Sequence, residues 1–275
     1  MLLPIRLRPE TPRNVSFQEQ RQDKTSMNSY QKLCTEFYDI DKPNAPADAL
    51  AFYLRYAQQA DGPILEAMCG SGRFLLPLQE QGFSIDGVDA SSEMLRACRE
   101  NGKRRGLIPN VYEQFLHQLD LPRRYQLVMI PAGSFCLITD PAQVQESLNH
   151  LYALMLPGAT LVMEVEQLLT HEDSSWPWGG RWVTRPDGAK IVISWLGNFN
   201  AQQRISHDLH RYELIKDGQL LETEWEEFDL RFYEIGEFSR LLENAGFTAI
   251  KTLKAYADDA PGDKDDTIVF ECVKP

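Results

Sequence analysis

Glu66, Gly70, Gly72 and Asp89 are the residues whose types and spacing could do chemistry. Ile64 and Leu65 read as a buried parallel strand that ends on Glu66 and runs straight into the turn Cys69-Gly70-Ser71-Gly72-Arg73. Two glycines there let the backbone approach a ligand, and open α/β sheets bind ligands at the carboxyl ends of their strands. A second strand-like run, residues 84–89, ends on Asp89, nineteen residues beyond Gly70. At that spacing a carboxylate reaches both hydroxyls of an adenosine ribose. The two acids and the turn between them predict a nucleotide-like cofactor.

A dinucleotide fingerprint needs a third glycine so that the following helix can pack close to the strand, and that position is Leu75. A nicotinamide-dependent oxidoreductase is therefore the weaker reading. What remains resembles the class I S-adenosylmethionine-dependent methyltransferases. The resemblance runs from about Tyr30 to the C-terminus. It is carried by residues 66–73, by Gly87-Val88-Asp89-Ala90-Ser91, and by Leu156-Pro157-Gly158 ahead of Thr160-Leu161-Val162-Met163-Glu164. Within that family, Pro131-Ala132-Gly133-Ser134-Phe135 and the long segment after residue 166 are similar to small-molecule enzymes such as the sugar-amine N-methyltransferases.

The resemblance implies an α/β fold: a Rossmann-like seven-stranded, mostly parallel sheet sandwiched by helices, with an inserted antiparallel β-sheet after strand five. It implies methyl transfer from S-adenosyl-L-methionine to a nitrogen or oxygen of a small molecule by in-line displacement, leaving S-adenosyl-L-homocysteine and using no metal. The cofactor residues carried over are Tyr30, Tyr38, Glu66, Ala67, Gly70, Gly72, Arg73, Asp89, Ala90, Met94, Leu116 and Pro131. Glu66 suits the sulfonium and ammonium charges, Asp89 the ribose and Met94 the adenine. Relatives place an acid just after strand three to receive the adenine amine. This chain has Gln114, Phe115 and Leu116 there, so the main chain of Leu116 is expected to substitute. A non-catalytic sensor or scaffold that binds the same cofactor is the alternative from another class.

The elements that must hold these residues are legible in outline. Aromatics eight apart, Tyr30 and Tyr38, begin an N-terminal cover that continues into a helix over residues 47–60; both could equally pack the cover onto the core. Helices are expected over 74–81, from an N-cap at Ser91 toward a stop at Gly106, over 141–156 and over 234–245. Strands are expected at 110–115, 125–130, 160–166, 248–256 and 267–273. The loop after the fourth strand, with Pro131, Ser134 and Phe135, borders the reacting end of the cofactor.

Residues 180–185, 189–199, 203–216 and 219–231 read as four antiparallel strands that roof the site, form a subunit contact as a homodimer, or both. Alternation puts His207, Leu209 and Arg211 on one face and Asp208, His210 and Tyr212 on the other. His207, His210 and Tyr38 are the candidates for moving a proton, though histidines on a solvated sheet face are commonly surface residues. Trp178, Arg211, Arg231, Tyr233, Ser134 and Phe135 are the candidate acceptor contacts. Trp176, Trp178 and Trp182, just ahead of the sheet, could instead seal it, and Arg231 could pair with the acids of residues 222–227.

The division that follows is residues 1–26 as a disordered extension, 27–166 with 233–275 as the core, and 167–232 as the inserted sheet. Met27 stands where the resemblance begins and is a candidate start. With 28 Lys and Arg against 40 Asp and Glu, the net charge of -12 opposes attraction to a phosphate backbone, which disfavours nucleic acid as substrate. Five scattered cysteines without a Cys-x-x-Cys spacing indicate neither a disulfide framework nor zinc and fit a cytoplasmic setting. No run is long and apolar enough to span a bilayer.

Overall fold

A computed structural model describes residues 30–275, so the extension expected over residues 1–26 lies outside the described residues. Two helices, α1 (Lys32–Asp41) and α2 (Ala47–Gln59), precede an alternation of strands and helices: β1 (Ile64–Ala67), α3 (Leu75–Glu80), β2 (Ile85–Asp89), α4 (Ser92–Arg104), β3 (Asn110–Glu113), β4 (Tyr125–Ile130), α5 (Pro141–Leu154) and β5 (Met155–Glu166). Four strands follow, β6 (Ser174–Thr184), β7 (Lys190–Asn200), β8 (Ile205–Lys216) and β9 (Gln219–Arg231), and then α6 (Ile235–Asn244), β10 (Thr248–Lys254) and β11 (Thr267–Val273).

The central sheet has the order β10-β11-β5-β4-β1-β2-β3. β1 to β5 are parallel and β11 enters antiparallel between β5 and β10. Because β1 sits between β2 and β4, the strand order reverses beside it, and a crevice opens at the carboxyl ends of β1, β2 and β4. Both sheet faces are buried, which is why these strands read as continuous apolar runs. Val128, Leu161, Met163 and Phe270 pack beneath α5 and α6, while Ile64, Leu127, Met129 and Val162 pack beneath α2, α3 and α4.

The inserted strands form a separate sheet, β6-β7-β8-β9. Its inner face, Ile191, Ile193, Tyr212 and Leu214, packs on Leu33, Cys34 and Phe37 of α1. The N-terminus of α1 has no side-chain cap of its own, which leaves backbone N–H groups to satisfy. β9 supplies the partners. Glu224 accepts from the N–H groups of Leu33 and Cys34 at 2.9 and 3.0 Å, and Glu226 accepts from that of Gln31 at 2.8 Å. The anionic strand thus holds the positive end of the helix dipole and fixes the insertion to the N-terminal cover.

Two boundaries differ by five residues or more from the sequence expectation. β5 begins at Met155 rather than residue 160, because α5 passes directly into extended backbone and Met155 already pairs with Tyr125. β6 begins at Ser174 rather than residue 180, so Trp176 and Trp178 belong to the sheet together with Trp182 and do not precede it. Pro177 disguises this strand. It is tolerated because β6 is an edge strand and its pairing with β7 is irregular between Trp176 and Gly179.

Candidate functional site

β1 delivers Glu66 to the sheet edge, and the chain then turns through Met68, Gly70 and Gly72, all at positive φ. A Cβ on Gly72 would lie 2.7 Å from Cys98 Sγ, so glycine there is required by both backbone and space. Cys69 Sγ fills the space beside Gly87 of the neighbouring strand, where a Cβ would come within 2.6 Å. Burial pushes the Cys69 thiol up, so it serves as packing and not as a thiolate.

Asp89, at the end of β2, accepts the N–H of Gly70 at 2.8 Å with one oxygen and that of Ser91 at 2.9 Å with the other. Burial raises its pKa and these backbone donors oppose the rise. Glu66 is buried, at 2 % exposure. Its burial raises its pKa well above the ordinary value, with Arg73 and the Leu75 N–H pulling the other way. One Glu66 oxygen, Oε2, has no partner among the described residues. A buried carboxylate oxygen left unpaired at a strand end is what a cationic group would satisfy, so the residues present fit a cofactor carrying sulfonium and ammonium charges.

Tyr30, Tyr38, Met68, Asp89, Met94, Ser134 and Leu137 enclose the cleft above this turn. Ser91 caps α4 by accepting the Met94 N–H, and its hydroxyl donates to the Tyr30 carbonyl at 2.8 Å. The cover is thereby tied to the same helix start that follows Asp89. Tyr30 and Tyr38 meet edge to face at 6.1 Å, and Phe228 of β9 packs on Tyr30 at 6.0 Å. The guanidinium of Arg73 lies over the Tyr38 ring at 4.9 Å. Burial raises the Tyr38 phenol while Arg73 opposes, so Tyr38 donates hydrogen bonds near neutral pH and does not act as a base.

The far wall is the loop after β4, where Ala132 and Gly133 both have positive φ. Beneath it stand two acids of β5. Glu164 is buried and accepts from the hydroxyls of Tyr53 at 2.6 Å and Tyr256 at 3.0 Å. Glu166 lies against Gly133, where a Cβ would come within 2.7 Å of its Oε1.

Comparison with known proteins finds that residues 64–158 match the family described as "Methyltransferase domain". Residues 64–158 of the chain form a methyltransferase domain. The methyltransferase is 22% identical over 248 residues to a putative methyltransferase of Geobacillus sp. (strain WCH70), covering 86% of this chain and 97% of that protein. Its fold is similar to the crystal structure of a S-adenosylmethionine-dependent methyltransferase from Clostridium acetobutylicum ATCC 824, with TM-score 0.70, 15% identity and coverage of 89% and 98% of the two chains. It is also similar to the sugar N-methyltransferase KedS8 from Streptoalloteichus sp ATCC 53650, with TM-score 0.69, 18% identity and coverage of 87% and 92%. Solved structures of this fold include the glycopeptide N-methyltransferase MtfA complexed with (S)-adenosyl-L-methionine, with TM-score 0.53 and 17% identity.

Of the predicted cofactor residues, Tyr30, Tyr38, Asp89 and Met94 line one crevice, Gly70 is held to Asp89 and Arg73 lies over the Tyr38 ring, Glu66 is buried at the end of β1, and Gly72 with Arg73 lines a neighbouring cavity beside Asp39 and Asn101. Ala67 closes β1, Ala90 follows Asp89, and Pro131 follows β4 at the same sheet edge. Leu116 opens a short 3-10 turn, and the Gln114 N–H just before it donates to the Asp89 carbonyl at 3.1 Å. Ser134 lines the cleft, with its hydroxyl on the Pro131 carbonyl at 3.0 Å.

Several acceptor candidates fall elsewhere. Phe135 is buried in the core against Phe238 at 5.7 Å, because the turn at Gly133 points it inward. Tyr233 is also in the core, edge to face with Phe238 at 4.8 Å. Arg231 pairs with Glu237 at 3.0 Å, and not with the acids of β9. His207 and Arg211 project from the outer face of the inserted sheet. There His207 pairs with Asp229 at 3.0 Å, and Arg211 stacks between Trp178 and Trp225 at 5.5 Å from each ring. His210 faces inward, stacked on Phe228 at 5.1 Å, and burial lowers its imidazole to about 4, so it is neutral at pH 7. Met68 and Leu137 line the cleft but are not legible in the sequence as site residues, and Glu166 lies outside the lining. Met68 stood inside the turn as a plain apolar residue, and nothing local marks the other two.

Proposed function

We propose that the methyltransferase acts on a small-molecule acceptor, with the inserted sheet and the N-terminal cover closing over it. The supporting observation is that Phe228 of the insertion touches Tyr30 of the cover, so the insertion reaches the rim of the cofactor cleft through one aromatic contact. An acceptor must fit between these walls, and the net charge of -12 weighs against a nucleic acid. A sugar, the acceptor class for which KedS8 is named, is of this size.

When bound, the cofactor supplies an electrophilic methyl on a sulfur that leaves readily, so little acid catalysis is required. The chain's own residues bind and orient. Glu66 faces positive charge, Asp89 holds the turn and offers its remaining lone pairs to a ribose, and Tyr30 with Tyr38 excludes water above them. The test is calorimetric titration with S-adenosylmethionine and S-adenosylhomocysteine, using Asp89→Ala as control. It is followed by a screen of small amines, phenols and acids for release of S-adenosylhomocysteine. Tight binding of both ligands with no turnover across all three acceptor classes would favour the sensor reading.

A homodimer through the inserted sheet belongs to the same proposal. Trp178, Trp182, Leu209 and Trp225 are exposed on the sheet's outer face, and a second copy would bury them. Sedimentation of the wild type against Trp225→Glu measures this; a monomeric wild type overturns it.

A further inference from the structure

We propose that Glu166 is the residue that receives the acceptor's ammonium group and takes its proton, which makes the substrate an alkylamine. The inference rests on the small-molecule methyltransferase reading. Glu166 is the last residue of β5, the strand that neighbours β4, so it stands at the carboxyl edge one strand beyond the Pro131–Ser134 wall of the cofactor cleft. Gly133, buried and at positive φ, passes so close that a Cβ would lie 2.7 Å from Glu166 Oε1. The wall is therefore shaped around this carboxylate.

The groups facing it offer no cation of their own. Thr267 on β11 is 3.5 Å from Oε2, Asp266 beside it and Glu164 on the same strand are acids, and Cys136 receives the Glu166 backbone N–H at 3.2 Å. Among the described residues no lysine, arginine or histidine is paired with Glu166. Burial, with Asp266 and Glu164 adding to it, raises its carboxyl to about 7. By contrast Glu164 has both oxygens committed to the tyrosine hydroxyls of residues 53 and 256.

An alkylamine reaches the enzyme as an ammonium ion, with no lone pair to attack a methyl group. The carboxylate pairs with that cation, accepts one proton from nitrogen and leaves the electron pair there as nucleophile. The proton then passes to water, restoring the carboxylate. A carboxyl near 7 lies closer to an amine than an ordinary one does, which makes the transfer less uphill.

The experiment uses the full chain saturated with S-adenosylhomocysteine and carrying 13C-labelled glutamate carboxyls. The Glu166 signal is assigned by its absence in Glu166→Gln, or in Glu166→Asp if the first variant does not fold. The signal is titrated against pH with methylammonium chloride and with sodium chloride at equal ionic strength. The expected result is a midpoint near 7 in sodium chloride, lowered by about one unit in methylammonium because the cation stabilises the carboxylate. A midpoint in the ordinary carboxylate range, about 4, or the same midpoint in both salts, overturns the proposal. Failure of the wild type to bind S-adenosylhomocysteine overturns the methyltransferase reading instead, and calorimetry on the same sample separates the two.

Discussion

Asp89 reaches from the end of β2 to the backbone N–H of Gly70, 2.8 Å away, so the acid that closes one strand also holds the turn that follows the strand beside it. Its second oxygen holds the N–H of Ser91 at the start of α4. Asp89→Ala should therefore weaken both fold and ligand binding. Losing a charged acceptor for two part-buried donors costs about 1–3 kcal/mol. S-adenosylmethionine affinity should fall more than tenfold by calorimetry at a temperature where the variant is folded. Unchanged affinity would place the ribose elsewhere.

Gly72→Ala tests the tightness of the same turn. A methyl group at φ +85 meets Cys98 Sγ at 2.7 Å and the Leu76 side chain at 3.0 Å. Strain and overpacking together cost about 2–4 kcal/mol. Adding Cys98→Ala should recover part of the loss in thermal denaturation, since it removes the sulfur but not the backbone strain. No recovery would mean that strain alone sets the cost.

Glu226 makes the hold of β9 on α1 sensitive to pH. Burial raises its carboxyl to about 7, although the N–H groups of Gln31 and Tyr30 oppose the rise. In the unfolded chain the group titrates at about 4.3. The folded state therefore binds more protons between these values, and stability is greatest below the unfolded pKa and falls as pH rises toward 7. Glu226→Gln keeps an acceptor for Gln31 and removes the titration. It should match the wild type at acidic pH and exceed it by about 3–4 kcal/mol above neutrality. Urea melts across that window check it, and parallel curves for the two proteins overturn it.

Glu164 is a junction of three segments. It joins Tyr53 of α2, Tyr256 of the segment after β10 and the backbone of Ala132 in the β4 loop. Glu164→Ala leaves two part-buried or buried hydroxyls and an N–H without their acceptor, a loss of about 3–5 kcal/mol. Glu164→Gln, with one acceptor oxygen left, should lose less. Equal Tm values for the wild type and Glu164→Ala would show that water replaces the carboxylate at no cost.

What could be read from the chain was what is encoded locally. The buried parallel strands are continuous apolar runs, the Gly70–Gly72 turn sits between two acids, and Ser91 is a cap residue followed by an acid in the first turn. These signals need no knowledge of distant contacts. Glu166 and the capping of α1 by Glu224 and Glu226 depend on partners far away in sequence, and no local pattern separates such acids from a solvated strand face. The inserted sheet was legible as strands but not as a surface with two different faces. Alternation sorts residues into sets without saying which set turns toward the helix.

That ambiguity is resolved by α1, and it yields the last prediction. Tyr212 and Leu214 meet Leu33 and Phe37, which sends His207 and Arg211 outward, away from the Tyr30 cleft. His207→Ala removes the contact of its Nδ1 with Asp229, whose two sides are each 25% exposed, a change of about 0–1 kcal/mol. Arg211→Ala removes the cation between Trp178 and Trp225, again about 1 kcal/mol. Neither should alter S-adenosylhomocysteine affinity. His210→Ala should alter it, because it withdraws the ring stacked on Phe228, which in turn packs on Tyr30. Calorimetry on the three variants distinguishes the faces. Weakened binding in His207→Ala or Arg211→Ala, with His210→Ala unaffected, would mean that the outer face is the one coupled to the cofactor.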